Sequence, residues 1–156
     1  MSNISDLLAI APTQKSPIHA TPADLDAASS LLNFPFPTAY RDLVLALNGR
    51  AIDLFDLYRV IPEPAPADID YLDIVRANAW PQTDRRNFPN WLVAFYANGA
   101  GDFDCFDRRN PAGPIVDWDH EIAWDEDCDD PEDAVSEIAP NFDDWIAQKV
   151  SYFKDP

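Results

Sequence analysis

His120 is surrounded by Asp117, Asp119 and Glu121, and a histidine beside carboxylates is the pairing a general base uses, the acid orienting the imidazole. No nucleophile and no second histidine accompany it, since His19 lies in a Pro/Thr-rich stretch. His120 is therefore read as hydrogen-bonded at a strand end or as a partner contact, not as a catalyst. Asp125, Asp127 and Asp129 alternate as calcium-loop ligands do. Asp130, however, stands where that loop needs glycine, and Ser136 where it needs a bidentate glutamate. The run Asn98-Gly99-Ala100-Gly101-Asp102 lacks the third glycine, the lysine and the following helix of a phosphate-binding loop. It reads as a hairpin turn in which glycine supplies positive φ, with Asp102 tying down turn amides. Cys105 lies among Phe103 and Phe106, and Cys128 is flanked by Asp127, Asp129 and Asp130. Neither has the cationic surroundings that activate a thiol. Two cysteines and two histidines this far apart make no zinc-ligand grouping. The expectation is a protein with no catalytic residues, no metal and no cofactor.

What remains chemically distinctive is charge. The chain carries 28 acids against 11 bases, a formal net charge of −17, and the excess is uneven. Residues 79–156 hold 18 acids and 6 bases, net −12, against −5 for residues 1–78. No Lys or Arg falls between Arg109 and Lys149, and ten acids crowd the seventeen residues from Asp117 to Asp133. Such a balance excludes direct binding to a phosphate backbone, which needs clustered Lys and Arg to displace counterions, and attraction to anionic membranes. A one-signed stretch repels itself, which is unrewarded without a positive partner. Trp118 and Trp124 are interleaved with it, and aromatic residues rimmed by charge are the usual make-up of protein interfaces. An acidic stretch is ordinarily only a solvated face; read instead as an interface, its candidate partner-binding residues are Asp117, Trp118, Asp119, His120, Glu121, Trp124, Asp125, Glu126, Asp127, Asp129 and Asp130.

The elements that must position them are legible in outline. Thr21-Pro22-Ala23-Asp24 has the composition of a helix start, followed by Leu25, Ala28, Leu31 and Leu32 at helical spacing. Tyr40, Leu43, Val44 and Leu47 mark a second helix after Pro37, with Gly49 placed to end it. A strand or two is expected over Ile52–Ile61, Leu54 included, and a helix over Asp68–Ala79. Trp91–Tyr96, Phe103–Phe106 and Ile115–His120 form three strands joined by short turns, an antiparallel meander. Phe142, Trp145, Ile146, Val150 and Phe153 then build a closing helix. Helical hairpin, meander and C-terminal helix give an α+β class.

At 156 residues the chain is one domain, and its 47% apolar content can bury a core. Residues 1–20 are expected to be a leader and 21–156 the domain. The longest apolar run, Trp91–Ala97, is far short of the ~20 residues a membrane helix needs. Residues 1–14 lack the basic start of a secretory signal, and two cysteines make no disulfide framework. A reduced, cytoplasmic setting is expected.

Three patterns carry a resemblance. The first is Phe36-Pro37 with Tyr40-Arg41, Leu43 and Asn48-Gly49. The second is Phe95 with Asn98-Gly99-Ala100-Gly101-Asp102, Cys105 and Asp107. The third is Val116, Trp118 and His120-Glu121, with Phe142 and Trp145 behind them. In this order they resemble the SUKH superfamily, the Smi/Knr-like domains of bacterial toxin-immunity proteins and of a fungal cell-wall regulator. Arg50 departs from a frequent second glycine. The resemblance implies an α+β fold and protein binding without catalysis, usually immunity against a co-encoded toxin, often a nuclease. The expected partner is then a basic toxin domain; the alternative is a cytosolic scaffold or regulatory module of the same fold.

Overall fold

Residues 3–53, 55–79 and 86–156 are described by the computed structural model. Local chemistry decides the helix boundaries. Helix α1 spans Asn3–Ile10. Helix α2, Pro22–Leu32, opens on a reciprocal cap: Thr21 Oγ1 accepts from the Asp24 amide at 3.2 Å, and Asp24 Oδ2 from the Thr21 amide at 2.8 Å. Asn33 ends it in a left-handed conformation. Helix α3, Thr38–Ala46, turns Tyr40, Leu43 and Val44 inward, and Gly49, with φ +74°, reverses the chain just beyond it. The C-terminal helix, Phe142–Lys154 (α6 below), starts at Asn141, whose side chain accepts from the Asp144 amide at 2.9 Å. Asp143 and Asp144 in its first turn and Lys154 in its last suit the helix dipole.

The main sheet is antiparallel and runs in chain order: β3 (Asp56–Leu57), β4 (Leu92–Ala97), β5 (Phe103–Asp107), β6 (Ile115–Trp118) and β7 (Val135–Ala139). The expected meander is its centre. Pairing shifts between Ala94, opposite Cys105, and Tyr96, opposite Asp104, leaving Phe95 as the extra residue of a bulge. Phe95 and Tyr96 both reach Trp145 on α6, with ring centroids at 4.9 and 5.5 Å. Asn78 fills the gap the bulge leaves, its side-chain amide bonding both the N–H and the C=O of Ala94 at 2.8 Å. Phe106 stacks on Phe95 at 4.3 Å and on Phe34 at 5.2 Å, making the aromatic centre of the helix-covered side. On the opposite side Trp118 packs against Phe103 and Phe88. This is the expected α+β architecture.

Four local expectations need correction. The supposed leader is folded. Leu7 of α1 is completely buried, Asn3 donates to the Asp143 carbonyl at the start of α6, and β1 (Thr13–Lys15) pairs with β2 (Arg50–Ile52). Residues 3–20 thus belong to the same body as residues from 21 onward. The helix expected over 68–79 is split: a 3-10 turn at Asp70–Leu72 precedes α4, Ile74–Asn78. Asp73 breaks it because its backbone bridges to Arg59 in extended form while its carboxylate caps α4 and takes the Ile61 amide. Of the strand or two expected over 52–61, the described residues show only the end of β2 at Ile52 and the two residues of β3, and Leu54 lies outside the described residues. Finally, β6 stops at Trp118, and His120 opens a short helix, α5 (His120–Ala123), instead of ending a strand.

Candidate functional site

The acidic stretch begins where β6 ends. Asp119 caps α5, its Oδ1 accepting from the amides of Glu121 at 2.8 Å and Ile122 at 3.1 Å. The other end of α5 is held by the Asn87 side chain, which donates to the Ala123 carbonyl at 2.8 Å. The acids that follow make local turns. Asp125 accepts from the Asp127 amide at 2.9 Å, and Asp130 from the Glu132 amide at 2.9 Å at the start of a 3-10 turn, Pro131–Ala134. Asp125, the first acid of the alternation that imitates a calcium loop, is thus turn chemistry, its side chain holding the amide two residues on as that of Asp130 does.

Glu121, Asp125, Glu126, Asp127, Asp129 and Asp130 all face solvent. Among them stand two apolar side chains that a folded surface ordinarily covers: Ile122, 44% exposed, and Trp124, 47% exposed. A shallow depression of about 440 Å³ lies beside Ile122, which with Cys128 meets the carboxylates of Asp119, Glu121, Asp125, Asp127 and Asp133 there. Local bases are largely committed elsewhere. Arg109 lies over the Trp91 ring at 3.5 Å and pairs with Asp107 and Glu132, Lys149 approaches Asp104, and Arg108 bonds the Leu32 carbonyl.

Two expected contact residues do not belong to this face. Trp118 is 1% exposed; the alternation of β6 directs it onto Phe103 and Phe88, and its indole N–H donates to the Asn87 carbonyl at 3.3 Å. It is a core residue. Asp117 points to the α6 side, half-buried beside its cross-strand neighbour Asp104. Asp104 is buried, accepting from the Trp145 indole N–H at 2.6 Å, with the Lys149 ammonium at 3.7 Å. Burial above all, then the fields of Asp104, Asp102 and Asp119, push Asp117 up to about 6.

His120 is joined to a residue outside the expected contact set. Asp102, in the β4–β5 turn, accepts through Oδ1 from the His120 amide at 3.1 Å and meets Nδ1 at 2.7 Å, while Oδ2 takes the Asn98 side chain at 3.0 Å. The turn amides of Ala100 and Asp102 are held by Asn98, not by Asp102 as expected. The Asp102 hydrogen bond raises the His120 pKa above 6.5 against the opposing effect of burial, and the charges of Asp102, Glu121 and Asp119 add to it. For Asp102, burial pushes upward, but the bonds from His120 and Asn98 outweigh it and hold the carboxyl below its ordinary value. Asp102, Asp119 and His120 each bring a possible ligand atom within 4.8 Å of the others. Both oxygens of Asp102 and one of Asp119 already hold donors, so a cation would have to displace these bonds. Sequence reasoning also passed over Ile122, whose one signal was an apolar side chain in an acidic run.

A second cleft, of about 620 Å³, opens between the β1–β2 ribbon, β3 and the turn around Asp68–Leu72. Arg59 contributes to its lining but is committed to the fold. Its guanidinium donates to the carbonyls of Arg50 at 2.7 Å and Leu47 at 2.8 Å, a cation at the C-terminal end of α3.

Comparison with known families places the chain. The profile of the SMI1 / KNR4 family (SUKH-1) matches residues 19–148, most of the sequence and all of the meander. The chain belongs to this family. SUKH domains are of the immunity-protein type and are generally binding domains without catalysis, so a protein partner follows from membership in general terms. No curated protein matches the chain. Among the described residues of this SUKH domain, no helix is long and apolar enough to cross a membrane.

Proposed function

We propose that this SUKH domain is a cytoplasmic immunity protein that binds a basic toxin domain, of nuclease type, through α5 and the acidic loop behind it. The observation that supports this most is that half-exposed Trp124 and Ile122 stand in a stretch of exposed acids, with carboxylates lining the depression beside Ile122. Apolar anchors with a charged rim are what a specific protein interface offers. A nuclease gathers Lys and Arg to hold its phosphate substrate, and those groups complement Glu121, Asp125, Glu126, Asp127, Asp129 and Asp130. Occupation of that basic surface, or of the surface beside it, denies the substrate access, and no catalytic step is required of the immunity protein. Asp119 and His120 hold the face from beneath, and Asp117 and Trp118 belong to the framework.

The experiment is co-expression with the product of the adjacent gene, scored by rescue of growth, together with the affinity of the purified pair. Wild type is expected to rescue. Trp124→Ala, which removes a half-exposed side chain and leaves the core intact, is expected to weaken binding by about 2 kcal/mol or more, roughly thirtyfold in Kd. Binding that ignores Trp124 would place the interface elsewhere.

A further inference from the structure

Helix α5 is four residues long, far shorter than a helix that persists unaided in water, so its placement comes from what grips its ends. At its start one carboxylate joins two elements. Asp102, from the β4–β5 turn, takes the amide and the Nδ1 of His120 on one oxygen and the Asn98 side chain on the other. The imidazole lies directly against that turn: a Cβ on Gly101 would fall 2.8 Å from Nδ1 and 2.9 Å from Cε1. The φ of +115° at Gly101 disfavours a side chain as well, so the site needs glycine for two reasons. The imidazole also meets Trp124 edge to face, with centroids 5.1 Å apart at 82°. Contact thus runs without a break from Asn98 through Asp102 and His120 to the exposed indole. The same turn, at Ala97, Asn98 and Gly99, walls the 620 Å³ cleft.

We infer that Asp102 and His120 form a proton-dependent latch that fixes Trp124 and α5 against the β4–β5 turn. The charged groups facing the imidazole are Asp102 from the turn and Asp119 and Glu121 from its own segment, while the Trp124 ring facing it is uncharged. All three are carboxylates, so the imidazolium is favoured beyond the ordinary histidine value of 6.5. Protonated His120 always presents an Nδ1–H to Asp102. The neutral ring does so in one of its two tautomers only, and it loses the ionic part of the bond. The latch is therefore tight below the raised pKa of His120 and slackens as pH rises through it. Asp102 and His120 are positioning residues for the exposed aromatic. The latch bears on partner binding only if the acidic face is the interface proposed above; its existence does not depend on that.

The test is an NMR titration of the full chain from pH 5 to 9, following the His120 imidazole and the Trp124 indole N–H, with Trp124→Phe to assign the indole. His120 is expected to titrate above 6.5, and the Trp124 signal to shift with the same midpoint. In Asp102→Asn the midpoint is expected to fall toward 6.5 and the coupled indole shift to be lost. An indole signal that stays flat while wild-type His120 titrates would overturn the latch, and that comparison does not need Asp102→Asn to fold. The protein alone is measured, so this result is independent of whether the face binds a basic partner.

Discussion

Asp117 makes the clearest pH-dependent contribution of any single residue. Its carboxyl is raised from an ordinary 3.8 to about 6 by burial and by neighbouring acids, Asp104 foremost. A raised carboxyl pKa in the fold means that the charged form is disfavoured there. The penalty is absent below about 3.8, grows between the two values and is complete above about 6. Asp117→Asn is expected to leave urea stability near that of wild type at pH 4 and to raise it by ~1 kcal/mol at pH 7, since solvent reaches this half-buried group and screens it. An equal effect at both pH values would contradict the assigned cause. The cysteines give a second residue-scale test. Both are thiols outside any disulfide, Cys105 buried and Cys128 partly accessible. A thiol reagent is expected to titrate one group promptly in the native protein and the second only on unfolding; fewer than two in the unfolded, non-reduced chain would mean a disulfide. Residue-scale legibility was mixed. Trp118 and Trp124 look alike in the sequence, both aromatic among acids, and the pairing of β6 with β5 decides that one is core and the other surface. No local pattern carries that register. Leu43, Phe95 and Trp145 were readable as core, and all three are fully buried.

The elements that could be read in advance are those whose ends are fixed by neighbouring residues. The Thr21–Asp24 cap, the Asn141 cap and the glycine turn at 98–102 are local bargains among side chains and amides a few positions apart. The elements that could not be read depend on distant partners. Helix α1 has a single fully buried side chain, Leu7, and its packing surface is α6, more than 130 positions away. Strand β7, Val-Ser-Glu-Ile-Ala, has a weak apolar pattern because it is an edge strand, and its identity comes from pairing with β6. Helix α5 replaces the expected end of a strand because Asp102, eighteen positions earlier, claims the His120 amide. The integration of α1 is testable by denaturation. Leu7→Ala is expected to cost ~2–5 kcal/mol, the range for large buried truncations, and removal of residues 1–11 at least as much. Unchanged midpoints would restore the reading of this segment as a leader.

Across the whole molecule the acid excess is concentrated where the bases are already spent. Arg108 and Lys149 serve the framework, and Arg109, which reaches Glu132, is also held by Asp107 and Trp91. The face around Trp124 therefore keeps a one-signed field, suited to drawing in a basic partner. The family and its α+β scaffold were legible because the three motifs fall on the helices, turns and strands that build the core; the composition of the face was legible, its geometry was not. The most direct measurement is stopped-flow association with the proposed partner, a basic toxin domain, at two salt concentrations. Wild type is compared with Asp125→Asn/Asp127→Asn/Asp129→Asn, which deletes three charges and keeps the turn-forming acceptors. Association of the variant is expected to be slower by roughly tenfold at low salt, with the gap narrowing as the screening length falls to ~8 Å near 0.15 M. Equal association rates for the two proteins at both salt concentrations would contradict an interface on the acidic face.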